Sequence, residues 1–567
     1  MLRKVPVLLT AAAVLAAASA CSSGGSTSAS GGSSFDPKNC QGGTLYILNQ
    51  DSATDEHFDP ARIYTSGGGA VPSLVFRTLT TRKRVPGEAG TTVAPDLATD
   101  TGTPSDDAKT WTYHLRDGLK FEDGTPITSE DVKWGVERSF APELPGGIPY
   151  LRDWLVGGAD YTGPYKGKEL DSIQTPTDKT IVFKLRKPEG DFPYVATATQ
   201  FAPVPKAKDG GTAFEKHPIS SGPYKVQTHV QDKSLTLVRN PNWSRAADDQ
   251  RLACPDRIEA TYGLSAAVIN QRLSTSSGKD ANAITTDTDL SPAELARIST
   301  DPNLKKRTVR GQFGYTNFIA FNTKVKPFDD VRVRQAISYA VNRQAAVIAV
   351  GGSSLATAAT TFLPDQAAFG YQPYDAFPAG PTGNPTKAKE LLAQAGQSNL
   401  SITLAHRNSD SHQDGPAVAT AVQEALKQAG ITVNLKAYDQ ASYRSVQTKP
   451  STEPGIFLSG WGADWPTGGP FLAPIFDGRQ ILKDGGNYNF AQYDDPKVNA
   501  EFDATNKISD PVQARPRWGA LDAELGEQAL TVPLFHPIYL RLYGKNVKNP
   551  YLDQWRGSYD VAMVSVK

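Results

Sequence analysis

Strands and helices alternate through residues 387–460, and this alternation constrains the fold more than any other feature of the chain. Apolar runs of strand length are separated by amphipathic helical stretches, two of which end at Gly396 and Gly430. Such βαβ units build a parallel sheet, and right-handed crossovers place the carboxyl ends of its strands at one edge. The sequence therefore predicts an α/β fold with a ligand crevice at that edge. The predicted helices are 387–395, 417–429 and 440–447, and the predicted strands are 401–405, 431–437 and 455–460.

Composition and motifs exclude several classes of function. Lys+Arg and Asp+Glu both number 59, so the chain lacks the basic footprint that nucleic-acid binding needs. The 567 residues exceed one hydrophobic core, and we expect at least two lobes. The sequence has no G-x-S-x-G, no H-E-x-x-H, no phosphate loop and no metal-ligand spacing among its seven histidines. We predict no enzyme, no metal and no cofactor, with a secreted hydrolase of unrecognised site as the alternative.

The N-terminus predicts export. Residues 1–20 combine a basic start, an apolar run and a small-residue end, as in a secretory signal peptide. Cys21 follows directly, and the junction resembles a bacterial lipobox, which implies a lipidated cysteine and a Gly/Ser tether over 21–40. Ala18 stands where such junctions usually have leucine, so cleavage by an ordinary signal peptidase is the alternative.

The segment 111–138 combines turn and helix signals at short spacing. Strands are predicted at 111–115 and 119–121, with tight turns at Asp117-Gly118 and Asp123-Gly124. A helix is predicted to begin near Thr128 or Ser129, since Ser129 is a good N-cap and acidic residues fill the first turn.

This segment resembles the signature of the extracytoplasmic solute-binding proteins of bacterial ABC importers, the dipeptide- and oligopeptide-binding family. Other marks of that family are Phe58-Asp59-Pro60, 218–224, 239–243, 328–343 and 488–496. The signature positions that match are Trp111, Tyr113, Leu115, Arg116, Gly118, Lys120, Phe121, Asp123, Gly124, Pro126, Ile127, Thr128, Ser129, Asp131, Val132, Trp134, Gly135 and Arg138.

The resemblance implies a two-lobe periplasmic-binding-protein-like fold, class II, of the large peptide-binding type. Lobe I is expected at 41–308, with an extra signature subdomain at about 86–175. Lobe II is expected at 309–530, and 531–567 is expected to return to lobe I.

Two cysteines remain if Cys21 carries lipid. Cys40 and Cys254 form an even remainder in an exported chain, which predicts one disulfide. Two buried free thiols are the alternative.

The strongest candidate for ligand binding is Asp464, just beyond the predicted strand 455–460. A carboxylate in a partly dry cleft suits an ammonium group, and the flanking Trp461 and Trp465 suit apolar side chains or cations. The resemblance implies that Asp464 pairs with the α-amino group of a peptide, while Gly460 and Gly462 bring backbone close to it. Alternatively, Asp464 caps a turn and both tryptophans belong to the core.

Three further residues are weaker candidates. His57 and Phe58 follow the first strand and are expected to face the cleft from lobe I. Arg407, beyond the strand 401–405, is a candidate for a ligand carboxylate, with a solvated surface arginine as the alternative.

Together the residues and the resemblance predict a monomeric, lipid-anchored receptor on the extracytoplasmic face of the bacterial cell membrane. It is expected to capture oligopeptides between its lobes and to deliver them to an ABC permease. The alternatives are the same receptor for another solute, such as a metal-chelate, a sugar or a heme-like ligand, and a surface sensor lipoprotein without transport.

Overall fold

The computed structural model describes residues 35–36, 38, 40, 42–50, 58–64, 70–409 and 414–566. The predicted signal peptide, Cys21, most of the predicted tether and His57 lie outside the described residues. The described strands are β1 Thr44–Leu48, β2 Thr80–Arg82, β3 Val93–Pro95, β4 Thr103–Ser105, β5 Thr110–His114, β6 Ile173–Thr177, β7 Thr180–Lys184, β8 Tyr224–Val230, β9 Ser234–Arg239, β10 Arg257–Thr261, β11 Ala283–Ile284, β12 Thr308–Gln312, β13 Tyr315–Phe321, β14 Ala356–Ala358, β15 Ser401–Arg407, β16 Thr432–Tyr438, β17 Ile456–Gly462 and β18 Thr531–Leu542.

Most helices follow the caps and breakers of the sequence. Asp330, Asn342, Asp439 and Asp510, for example, each accept a backbone hydrogen bond as N-caps. The described α-helices are α1 Ser129–Arg138, α2 Tyr150–Trp154, α3 Phe192–Val195, α4 Ala266–Thr275, α5 Pro292–Thr300, α6 Pro302–Lys306, α7 Val331–Ala340, α8 Arg343–Ala349, α9 Pro385–Gln394, α10 Pro416–Gln428, α11 Gln440–Gln447, α12 Gly469–Phe476, α13 Pro496–Asn506 and α14 Pro511–Glu527.

The first lobe is built on a five-stranded sheet in the order β11-β1-β10-β9-β8. β1 lies parallel to β10 and β11, whereas β9 pairs antiparallel with β10 and β8. Leu45 and Ile47 of β1 enter one core with Leu237 of β9 and Ile258 of β10. The disulfide predicted between Cys40 and Cys254 is confirmed, with the two Cα atoms 5.0 Å apart.

The subdomain of this lobe is a four-stranded sheet, β4-β5-β7-β6, with its own core. It extends past the expected boundary at 175, because β7 lies at the centre of the sheet and Phe201 still packs in the same core. The helix predicted near Thr128 is α1, and Thr128 rather than Ser129 is its N-cap. The predicted strand 119–121 forms only a single bridge, between Lys120 and Pro126.

A buried ion pair joins two of the sequence marks. The guanidinium of Arg138, the last residue of α1, donates two hydrogen bonds to the carboxylate of Asp59, at 2.9 and 2.8 Å. A further bond of 2.9 Å reaches Asp209. Arg138 thereby fixes the segment 58–64 against the subdomain, and this segment carries Tyr64 into the cleft.

The second lobe contains a seven-stranded sheet, β12-β18-β13-β17-β15-β16, with β14 paired to β18. The predicted βαβ alternation is confirmed, since β15 lies parallel to both β16 and β17. The sheet is nevertheless mixed, because β13 pairs antiparallel with β17 and β18. Ile319 and Phe321 pack on one face and Phe318 and Ala320 on the other, so both faces are buried.

Two adjacent strands connect the lobes. β12 pairs antiparallel with the end of β18, from Ile538 to Leu542, and Val309 of β12 already packs in the first-lobe core. The expected return at 531 starts later than predicted, because Val532 and Phe535 pack in the second-lobe core. The chain first packs against the first-lobe core at Tyr539 and is buried in it at Tyr543, so the return is complete just after β18.

Candidate functional site

Asp464 lies two residues after β17 and contacts the opposite lobe. The Tyr64 hydroxyl donates to its two carboxylate oxygens at 3.2 and 3.1 Å. The Tyr150 hydroxyl, at the start of α2, donates to the same carboxylate in a short hydrogen bond. Both donors belong to the first lobe, so the side chain spans the cleft rather than capping its own turn.

The surroundings of Asp464 bring the pKa of its carboxyl close to neutral pH. Burial raises the pKa of the Asp464 carboxyl from 3.8 to about 6, although the hydrogen bond from Tyr64 opposes the shift. Desolvation and the charge of Asp464 raise the pKa of the Tyr64 hydroxyl, which therefore stays a neutral donor. A carboxylate has about four acceptor positions, so two hydroxyl donors leave room for an ammonium group.

Gly460 and Gly462 lie inside β17, which runs two residues further than predicted. Their partners on β13 are Asn317 and Tyr315. A Cβ on Gly460 would lie 2.4 Å from the ring of Tyr315, and one on Gly462 would lie 2.7 Å from it. The glycines are needed because this ring packs across the strand.

Trp461 is half-buried between the two glycines. Its indole N–H donates to the carbonyl of Pro470 at 3.2 Å, and its ring lies 4.9 Å from that of Tyr488. The residue combines core contacts with an accessible surface, and its contact with a ligand stays a prediction.

Trp465 crosses to the first lobe. It is 6% exposed and packs in the subdomain core, with its ring 5.1 Å from Tyr150 and 5.8 Å from Trp154. Its indole N–H donates to Asp191 at 2.8 Å, and the Thr467 hydroxyl donates to the same carboxylate in a short bond. The predicted ligand contact is therefore replaced here by a contact between the lobes.

The weaker candidates have other partners. Phe58 is 1% exposed and packs on Phe76 and His229 in the first-lobe core, so it presents no open face to the cleft. Arg407 pairs with Asp414 at 2.9 Å, with its side chain 18% exposed.

Several cleft residues were not predicted from the sequence. Tyr64 and Tyr150 are 400 and 314 positions from Asp464, so no local pattern indicates them. Tyr488 lies inside one of the sequence marks, which was the only signal for it. Asp191 directly follows Glu189-Gly190 in a segment with no motif.

The described part of the chain contains no helix with the length and apolarity needed to span a bilayer.

Comparisons with known proteins all point to one class of binding protein. The family model described as "Bacterial extracellular solute-binding proteins, family 5 Middle" matches residues 92–483. Heme-binding protein A of Haemophilus influenzae is 28% identical over 442 residues, which cover 74% of this chain and 73% of that protein. Glutathione-binding protein GsiB of Shigella flexneri is 26% identical over 466 residues, covering 78% and 81%. The solved structure of Clavulanic acid biosynthesis oligopeptide binding protein 2 superposes with a TM-score of 0.86 at 36% identity, covering 93% of this chain and 96% of that one.

Proposed function

This chain belongs to the bacterial extracellular solute-binding proteins, family 5, and from that premise we propose that it captures oligopeptides between its lobes for an ABC permease. The family consists of solute-binding proteins of ABC importers rather than enzymes. The peptide ligand, the lipid anchor and the monomeric state are parts of the proposal.

The observation that carries the peptide assignment is the position of Asp464. Its carboxylate lies at the carboxyl end of a central strand, contacts Tyr64 and Tyr150 of the other lobe, and has a pKa of about 6. It is thus mostly ionised at neutral pH, when the α-amino group of a peptide is still protonated. The two groups suit a charge-assisted hydrogen bond in a partly desolvated cleft.

The backbone beside Asp464 supports the same ligand. β15 pairs with β17 only at Ile456 and Phe457, so residues 459–462 have no strand partner on that edge within the described part of the chain. An extended peptide laid along this edge gains main-chain hydrogen bonds, which give affinity without demanding particular side chains.

The relatives favour a peptide over other solutes. The solved structure at 36% identity carries "oligopeptide binding" in its name, and a relative at 26% carries "glutathione-binding". Heme appears in the name of another relative, at 28% identity. Peptide binding is the choice that Asp464 supports chemically, because heme offers no ammonium group.

Hinge closure is the proposed mechanism. The lobes are joined by β12 and β18, and a ligand that bridges both lobes shifts the open–closed equilibrium by its differential affinity. We propose further that Cys21 is lipidated after removal of 1–20 and holds the protein at the outer face of the membrane. A Cys21→Ala variant should leave the membrane fraction, and its retention there would contradict the anchor.

The experiment that tests the ligand is native mass spectrometry of protein purified from cells that make the full chain. Adducts that fragment into peptides are the expected result and give the preferred length. A single non-peptide adduct, or an empty protein that ignores an added peptide pool, would contradict peptide capture. The variant Asp464→Ala serves as the control and should lose the adducts while it keeps its thermal transition.

A further inference from the structure

Three arginines and two aspartates form an arginine cluster between β2 and the C-terminal part of the chain. Arg82, the last residue of β2, pairs with Asp553 at 2.5 Å. Arg84 pairs with Asp560 at 2.7 Å. The third arginine is Arg556. Within the part of the chain that the structure describes, it forms no ion pair, and its buried Nε has no hydrogen-bond acceptor.

The two aspartates of the cluster already have other donors. The Asp553 carboxylate accepts two backbone N–H groups of its own turn, at 2.8 and 3.1 Å, besides its pair with Arg82. The Asp560 carboxylate accepts the Tyr551 hydroxyl at 2.9 Å, besides its pair with Arg84. Neither carboxylate forms an ion pair with the third arginine, so the arginine cluster keeps one positive charge in excess.

The indole of Trp555 contacts two of the three guanidinium groups. The guanidinium carbons of Arg82 and Arg556 each lie 4.4 Å from the centre of this ring. An aromatic face attracts a cation, but it does not replace an oxygen acceptor for the N–H groups at the edge of the guanidinium plane. The contact therefore positions Arg556 without neutralising its charge.

The surroundings of Arg556 disfavour its cationic form. Burial and the positive charges of Arg82 and Arg84 lower the pKa of Arg556 from 12.5 to about 9. The negative charges of the two aspartates oppose this shift without cancelling it. Arg556 is still protonated at neutral pH, and a desolvated cation without a counterion is costly.

The missing partner of Arg556 is an anion that reaches it from solvent. Arg556 is only partly buried, so the outer edge of its guanidinium is accessible. The Nε of Arg84 is a second buried donor without an acceptor among the described residues. An anion supplies both the missing charge and the missing acceptors, and a small one fits best because both Nε groups are shielded.

Trp555 connects the arginine cluster to the second lobe. Its ring is buried in the second-lobe core, and its indole N–H donates to the carbonyl of Ala463 at 2.9 Å. Ala463 directly precedes Asp464. The excess charge of the cluster thus lies beside a contact between the C-terminal part of the chain and the loop after β17.

We propose that the arginine cluster binds one small inorganic anion at Arg556 and Arg84, and that this ion stabilises the contact of Trp555 with the second lobe. The chemical class is a monatomic halide such as chloride or a tetrahedral oxyanion such as phosphate. Guanidinium groups bind both, with charge-assisted hydrogen bonds. The inference does not depend on which ligand the cleft takes.

The first test measures thermal unfolding of the wild type in sodium gluconate, which is then replaced by chloride or by phosphate at constant ionic strength. A ligand that binds only the folded protein raises its unfolding temperature, so we expect a rise with at least one of the two ions. This rise should disappear in Arg556→Gln and persist in Arg245→Gln, which removes an exposed arginine elsewhere in the first lobe. A response to one ion alone assigns the class of anion.

In gluconate, Arg556→Gln should unfold at the same temperature as the wild type or at a higher one, because it removes a cation that has no counterion. A merely structural role of the arginine predicts a lower temperature. Equilibrium dialysis with labelled chloride and phosphate gives a direct count on the wild type, with one bound ion per chain expected, and Arg556→Lys should keep this ion. No bound ion in the wild type, or an equal rise in Arg556→Gln, would overturn the proposal.

Discussion

Asp464 and Trp465 are consecutive residues of the loop after β17, yet they contact the first lobe in opposite ways. Asp464 is partly exposed and is held by the Tyr64 and Tyr150 hydroxyls. Trp465 is 6% exposed and fills a site in the subdomain core, with Asp191 as its acceptor. A ligand group can readily replace a hydroxyl that is hydrogen-bonded to a partly exposed carboxylate. It cannot readily displace a buried indole. We therefore propose that Asp464 binds the ligand and that Trp465 stabilises closure.

The largest effect is expected from Asp464→Asn. Removing one charge of a buried charge pair costs about 2–5 kcal/mol, so peptide affinity should fall at least about thirtyfold. Asparagine keeps the shape and an acceptor, so we expect the free protein to keep its radius of gyration and, at neutral pH, to unfold at no lower a temperature, because the ionised carboxyl that it replaces disfavours folding. Calorimetric titration measures the loss, with Asp191→Asn as the isosteric control that should lose far less. Equal losses of affinity in the two variants would contradict separate roles for the Asp464 and Asp191 contacts.

Trp465→Ala should act on closure instead. Truncating a buried tryptophan costs about 3–5 kcal/mol, and here the cost falls on the arrangement in which the lobes touch. We expect the free protein to expand in small-angle scattering and to bind peptides roughly tenfold more weakly, because apparent affinity scales with the fraction of binding-competent protein. Trp465→Phe is the matched control, since it keeps most of the packing. An unchanged radius of gyration in Trp465→Ala would show that this indole does not hold the lobes together.

Peptide affinity and protein stability should both depend on pH through Asp464. The pKa of Asp464 is raised to about 6, so its carboxylate becomes protonated as the pH falls through that value. Affinity for peptides with a free amino group should therefore decrease about tenfold between pH 7 and pH 5, because only the ionised form pairs with ammonium.

The stability of the free protein should respond in the opposite sense. A carboxyl whose folded pKa lies above its unfolded value disfavours folding when ionised, so the contribution of Asp464 to the free energy of unfolding increases as the pH falls from 6 toward 4. Asp464→Asn should abolish both trends, as measured by titration calorimetry and by thermal unfolding at several pH values. Persistence of the affinity change in Asp464→Asn would assign it to another group.

The sequence could predict those parts of the fold that have local causes. Hydrophobic periodicity and helix-ending glycines were enough for the parallel strands β15, β16 and β17. The even remainder of cysteines, once Cys21 is assigned to the lipobox, was enough for the disulfide between Cys40 and Cys254. The family resemblance, confirmed by the family match, supplied the two-lobe arrangement. Periodicity could not predict that Val532 and Phe535 pack in the second lobe, because an apolar strand has the same sequence pattern in either core.

The candidate site was predicted only on one of its two sides. Asp464 was found because it follows a strand of a parallel sheet, where ligand crevices form. Its partners come from the other lobe, where nothing in the neighbourhood of Tyr64 or Tyr150 indicates a carboxylate hundreds of positions away. The same limit applies to Arg407, since only the structure shows that Asp414 already pairs with it.

The smallest effect is expected from Tyr64→Phe, which removes one of the two hydroxyl donors to Asp464. A hydrogen bond of this kind contributes about 0.5–1.5 kcal/mol, so peptide affinity at neutral pH should fall about threefold. Because the Tyr64 hydrogen bond lowers the pKa of Asp464, its loss should also move the midpoint of the pH dependence upward. Tyr150→Phe is a less clean variant, since its ring packs on Trp465 and so belongs to both contacts. A Tyr64→Phe midpoint that stays in place would contradict a contribution of the Tyr64 hydrogen bond to the pKa of Asp464, and burial of the carboxyl would then be its main determinant.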